Sequence, residues 1–127
     1  MAIRTELSLR LPNSPGALAG VCRLLSNERV NVMAMALEAG GQIRMVVDNH
    51  VHAAATLREH HHQVTERDVL VASIPNTPGA LAPALQLIAD ARINIEYAYG
   101  GSGETGNTAS IILGVAHVMD ASAAAGI

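Results

Sequence analysis

The sequence predicts an α+β fold: two tandem βαββαβ units, each an antiparallel sheet with its helices on one face. Three observations carry this. Pro12-Asn13-Ser14-Pro15-Gly16-Ala17-Leu18-Ala19 returns as Pro75-Asn76-Thr77-Pro78-Gly79-Ala80-Leu81-Ala82, a shift of 63 residues. The likeness runs on without gaps, since Leu24, Arg29 and Asn31 reappear as Leu87, Arg92 and Asn94, while Leu25, Val30 and Val32 become Ile88, Ile93 and Ile95. Within each copy the apolar period switches between two and 3.6, the mark of strands alternating with helices. Two copies do not make a solenoid, which needs about three repeats to bury a continuous core. The units are expected over residues 1–67 and 68–127, and each must close its own small core or share one with its neighbour.

Leu7, Leu9 and Leu11 alternate with Glu6, Ser8 and Arg10, a strand with one buried face. Ser14-Pro15 and Thr77-Pro78 read as helix starts, because a hydroxyl can accept an orphan N–H and proline at the first helical position has none to lose. Leu18, Val21, Cys22 and Leu25 follow at helical spacing, and the second copy has Leu81, Ala84, Leu85 and Ile88. A strand from about Val30 to Leu37, a Gly40-Gly41 turn and a strand from Gln42 to Val47 form a hairpin. Asp48-Asn49 can cap a helix near Val51 to Glu59, and a short strand near Gln63 to Glu66 completes the unit. This order is the split βαβ plan of the ferredoxin-like fold.

The second copy supplies Val69 to Ile74, a helix from Pro78 to Asp90, Arg92 to Tyr99, and Thr108 to Val115, with a glycine-rich connection in place of the tight turn. A helix is expected from about Asp120 to Ile127, and nothing there corresponds to His60 through Arg67. The second unit is therefore expected to lack its last strand, leaving an edge that must be covered. Val69 and Val71 stand where the first copy has outward Glu6 and Ser8, so that sheet face is expected to be buried, with a partner sheet or a second chain as its cover, and the protein is expected to be a homodimer.

Composition removes several functions. The formal charge is −3, only Tyr97 and Tyr99 are aromatic, and no basic run exists, which argues against nucleic acid. No stretch reaches the eighteen apolar residues of a membrane span, and the first residues lack the apolar run of a signal peptide, so a cytoplasmic setting is expected. Cys22 is the one cysteine, on an apolar helix face, and reads as a core residue. His60-His61-His62 cannot all point inward at a helix end, and no cysteine or carboxylate stands at a recognised metal spacing, so no metal is expected. Gly101-Ser102-Gly103-Glu104-Thr105-Gly106 fits a dinucleotide fingerprint by letter, but a strand follows it where that motif needs a helix, so no cofactor is expected. Ser110 and His117 lack the strand-turn-helix elbow of a nucleophile, and no catalytic set is visible.

Asn13-Ser14-Pro15-Gly16 and Asn76-Thr77-Pro78-Gly79 lie where a strand ends and a helix begins, where first-turn N–H groups favour a carboxylate. Asparagine both donates and accepts, which suits a zwitterion. A plain capped turn is the alternative at each. At these residues the chain resembles the ACT domain, a small regulatory module: an Asn-x-Pro-Gly loop, an amphipathic helix, then a Val-Asn-Val or Ile-Asn-Ile strand opening, shown by both copies. The resemblance implies an amino acid held at an interface between paired ACT units. In the serine-responsive ACT domain of phosphoglycerate dehydrogenase the ligand is held by the loop Asn and the strand-opening Asn, which here are Asn13 and Asn31, and Asn76 and Asn94. That domain also has a His where this chain has Leu11 and Ile74, so the ligand side chain is expected to be more apolar than serine.

The ligand-binding residues expected are thus Asn13, Ser14, Gly16 and Asn31 in the first copy and Asn76, Thr77, Gly79 and Asn94 in the second. The function expected is a non-catalytic, amino-acid-binding regulatory protein. The alternative is a regulatory or structural subunit that clamps an amino-acid biosynthetic enzyme, such as an acetolactate synthase, without binding a ligand alone.

Overall fold

The computed structural model describes residues 1–126. In chain order the elements are β1 (Ala2–Arg10), α1 (Ala17–Asn27), β2 (Val32–Leu37), β3 (Gln42–Val47), α2 (His50–Glu59), β4 (Thr65–Pro75), α3 (Leu81–Asp90), β5 (Ile95–Gly101), β6 (Thr108–Val115) and α4 (Val118–Ala124). They form two compact units, one of Thr5–Arg67 and one of Met1–Arg4 together with the chain from Asp68 on.

In the first unit the strand order is β2-β3-β1-β4. β1 pairs antiparallel with β3 (Leu7 opposite Met45, Leu9 opposite Ile43), and β3 pairs antiparallel with β2 (Met35 opposite Met45, Leu37 opposite Ile43). The odd-numbered residues of β1 and β3 share one face, so Leu7, Leu9, Ile43 and Met45 bury against Val21 and Leu25 of α1 and Ala53, Ala54 and Leu57 of α2. The tight hairpin is a three-residue loop: Glu38 N–H donates to Gln42 O (2.9 Å), Gly41 N–H donates to Glu38 O (2.9 Å), and Gly41 takes φ 89°.

In the second unit the order is β5-β6-β4-β1. β4 pairs with β6 (Leu70 opposite Leu113) and β6 with β5 (Ala98 opposite Leu113), both antiparallel. Leu70, Ile88, Leu113, Val115 and Ala121 form its core, against which Met1 and Ile3 pack. The Met1–Arg4 end of β1 therefore supplies the fourth strand of this unit, beside β4.

Several local expectations need correction. The strands expected near 63–66 and 69–74 are one strand, β4, because nothing between them breaks the extended backbone. Neither Ser14 nor Thr77 caps a helix: α1 begins at Ala17 behind Gly16, α3 begins at Leu81 behind Ala80, and neither has a side-chain cap. Asn49 does cap α2, its Oδ1 accepting from His52 N–H at 3.2 Å. The helix expected from Asp120 begins at Val118 and ends at Ala124, while Ile127 lies outside the described residues. Glu6, expected on an outward face, is 1% exposed, and of the two valines expected on a buried face Val69 is fully buried and Val71 half-buried within the single chain. No buried side-chain nitrogen or oxygen among the described residues lacks a hydrogen-bond partner.

The duplicated arginines now have a local reason. Arg29 and Arg92 both adopt left-handed φ, 58° and 59°. Each sits just past its helix: Arg29 N–H donates to Ser26 O (3.0 Å) and Val30 N–H to Leu25 O (2.9 Å), while Arg92 N–H donates to Ala89 O (2.9 Å) and Ile93 N–H to Ile88 O (3.3 Å). This is the Schellman ending, in which orphan carbonyls of the last turn are satisfied and an apolar residue folds back on the helix.

Candidate functional site

The turn after β1 is set by Gly16, whose φ of 85° lies in the left-handed region, and Gly79 repeats it at 84°. Glycine is retained at both positions because the turn needs that backbone. No side chain caps α1 and no acidic residue stands in its first turn, where Ala17 N–H donates to Ser14 O (3.3 Å), so no side chain of that turn opposes an anion there.

Beside this loop lies an open cleft of about 770 Å³, lined by Leu11 to Ser14, Gly16 to Ala19 and Cys22 on one side and by Leu37 to Ala39 and Gly41 on the other. The β2–β3 hairpin is held against the end of β1 to make the second wall. Leu11 N–H donates to Gly41 O (2.7 Å), Arg10 Nη1 donates to Gly40 O (2.6 Å), and Arg44 Nε bridges to the Glu38 carboxylate at 3.3 Å. A Cβ on Gly41 would come within 2.4 Å of the Leu11 carbonyl oxygen, so only glycine allows this approach.

Asn13, Ser14 and Gly16 all line the cleft. The Asn13 side chain is exposed and forms no hydrogen bond within the described residues. Asn31 is not brought to them. It precedes β2, whose far end, Leu37, lines the cleft, so six strand residues, roughly 20 Å, separate the two asparagines. Its backbone is fixed there, Asn31 N–H donating to Asp48 Oδ1 (3.0 Å) and Asp48 N–H to Asn31 O (3.1 Å), and its side chain is exposed.

The second loop has the same backbone and a different neighbour. Asn76 Nδ2 donates to Gly106 O (2.9 Å) and Asn76 N–H to Asn107 O (2.9 Å), so the loop asparagine is engaged by the glycine-rich connection. β6 follows that connection, where a dinucleotide motif would need a helix. Thr77, Gly79 and Asn94 are exposed.

Sequence reasoning missed Leu18, Cys22, Leu37 and Glu38 as cleft residues. Cys22, read as core, is half-buried and lines the cleft. The Gly40-Gly41 pair was the available signal, since a hairpin that tight must end close to the loop after β1. Leu11, standing where a serine-responsive relative has His, is 5% exposed and belongs to the core as well as to the cleft floor. Among the described residues no three His, Cys, Asp or Glu side chains gather as a metal set. His60 Nδ1 lies 2.9 Å from Thr56 O.

The sequence matches the family described as an ACT domain pair over residues 1–117. The chain belongs to that family. Among solved structures, a protein from Bacteroides thetaiotaomicron is similar at 28% identity and a TM-score of 0.88, covering 96% of this chain and 85% of that one. The ligand-free regulatory subunit of aspartate kinase from Thermus thermophilus shares the ACT-pair fold at 22% identity and a TM-score of 0.71, covering 98% and 92%. Aspartokinase III of E. coli, solved in complex with aspartate and ADP, shares it at 16% identity and 0.63, covering 98% of this chain and 31% of that one. No curated protein matches the chain. The tandem ACT pair thus accounts for the repeat, the strand order and the loop geometry together. Among the described residues no helix is long and apolar enough to cross a membrane.

Proposed function

We propose that this ACT pair is a non-catalytic sensor of a free amino acid, acting in the cytoplasm, with the cleft at the Asn13 loop as its binding site. The observation that carries this is the contrast between an Asn13 side chain left unbonded at an open cleft and its counterpart Asn76, bonded to Gly106. The ligand carboxylate is placed on the first-turn N–H groups beside Ser14 and Gly16, and its ammonium on the Asn13 side-chain oxygen. Because Asn31 stands at the far end of β2, it can join that ligand only from a neighbouring unit, as in a homodimer that sets an Asn31 beside an Asn13 loop. Asn94, Thr77 and Gly79 are the corresponding residues of the second copy. The ligand regulates by favouring the assembly to which it binds more tightly.

A second reading is supported by β2, where Met33, Met35 and Leu37 are 53%, 39% and 47% exposed. That row suits a docking surface through which the protein clamps an amino-acid biosynthetic enzyme, such as an acetolactate synthase or a kinase of the kind its structural neighbours regulate.

Calorimetric titration with the twenty amino acids tests the first reading. Saturable binding that Asn13→Ala weakens at least tenfold is expected, as the loss of a hydrogen bond to a charged group costs about 1.5–3 kcal/mol. No binding of any amino acid, with recovery of a biosynthetic enzyme on the immobilised protein, would favour the second.

A further inference from the structure

We infer that the cleft selects an aliphatic amino acid of about leucine or methionine size, with Leu18, Cys22 and Leu37 as the residues that read its side chain. The inference rests on the proposed binding site and adds what that site accepts. The lining is divided. Polar groups able to hold a zwitterion, Asn13 and Ser14, stand at the loop end, while Leu18 and Cys22 of α1 face Leu37 of the hairpin across the remainder. Leu37 is 47% exposed, so a ligand side chain laid against it removes apolar surface from water on both partners.

The charges favour the same class. Glu38 is the one charged residue among those lining the cleft, and its carboxylate is paired with Arg44 at 3.3 Å. A lysine side chain entering the cleft would have to compete with that arginine, and an aspartate side chain would meet Glu38 with no free cation in the wall. An aliphatic chain needs no polar partner and leaves the Glu38–Arg44 pair in place.

A homologous series tests this: alanine, 2-aminobutyrate, norvaline and norleucine titrated calorimetrically into the intact protein, with lysine and aspartate beside them. Affinity is expected to rise about fourfold per added methylene. Leu37→Asn, at a position exposed enough to leave folding intact, is expected to flatten the series and weaken norleucine about tenfold. Norleucine is also expected to slow alkylation of the Cys22 thiol by iodoacetamide. A flat series, or lysine or aspartate binding more tightly than norleucine, would overturn the aliphatic class while the amino-acid site stands. Tight norleucine binding without protection of Cys22 would place the ligand elsewhere and overturn the assignment of these walls. Failure of every amino acid to bind would remove both this inference and the reading beneath it.

Discussion

The loops after β1 and β4 carry the same motif and meet different neighbours. Both have the Asn-x-Pro-Gly turn, the left-handed glycine and a helix start without a side-chain cap. They differ in what stands opposite. In the first unit a three-residue turn folds back far enough for Gly41 O to accept from Leu11 N–H, leaving a cleft and an unbonded Asn13. In the second, the longer connection between β5 and β6 reaches Asn76 and takes up both its backbone N–H and its side-chain amide. The same motif sets the same loop backbone twice, and the length of the facing hairpin decides whether the loop asparagine is left unbonded or taken up.

The largest break in this comparison is expected at Gly41. Gly41→Val would force a side chain onto the Leu11 carbonyl at a left-handed φ, and should cost roughly 3 kcal/mol or more in denaturant unfolding. Gly16→Ala shares the φ but meets no atom within 4 Å, so only about 1 kcal/mol is expected. Equal losses at the two positions would mean that the hairpin wall is not held against β1 as described.

The two units can also be separated by where β1 is cut. Ile3 packs on the second core, so Ile3→Asp should destabilise by about 2–3 kcal/mol and speed amide exchange at Leu70 and Leu113, with little change at Leu9 and Ile43. Uniform acceleration in both units would deny Met1–Arg4 its role as the fourth strand of the second unit.

At the loops themselves the expected effects diverge. Asn13→Ala should weaken amino-acid binding at least tenfold, whereas Asn76→Ala should leave affinity within about twofold and instead release the connection, seen as faster amide exchange at Gly106. The smallest expected effect is one the copies share. Glycine is at ease where Arg29 and Arg92 sit, so Arg29→Gly and Arg92→Gly should each stabilise by about 0.5–1 kcal/mol in thermal or urea unfolding, after allowing for the added freedom of the unfolded chain. A stabilisation at only one of the two would show that the helix endings are less alike than their hydrogen bonds.

The repeat and the alternation of Leu7, Leu9 and Leu11 made the fold legible, because periodicity reports which face is buried. The turn between β2 and β3 was readable from Gly40-Gly41, with Leu37 and Gln42 as its flanks, although β2 begins at Val32 and not at Val30. What the sequence concealed was non-local. Nothing in Met1-Ala2-Ile3-Arg4 announces that it closes a unit whose other strands begin more than sixty residues later. Glu6 looked outward because alternation assigns faces without saying what covers them. Ser14 and Thr77 were misread as caps because the left-handed glycine two residues on moves the helix start past them. Asn31 carried the same residue signal as Asn13, yet the two lie at opposite ends of β2, a separation only the strand directions reveal.

Amide chemical-shift titration of the labelled protein with L-leucine tests directly whether the first loop is the ligand site. Saturable shifts are predicted at Asn13, Ser14 and Gly16 and across Leu37 to Gly41, with Asn76, Thr77 and Gly79 unmoved. Shifts centred on Asn76, Thr77 and Gly79, with the first loop silent, would contradict it.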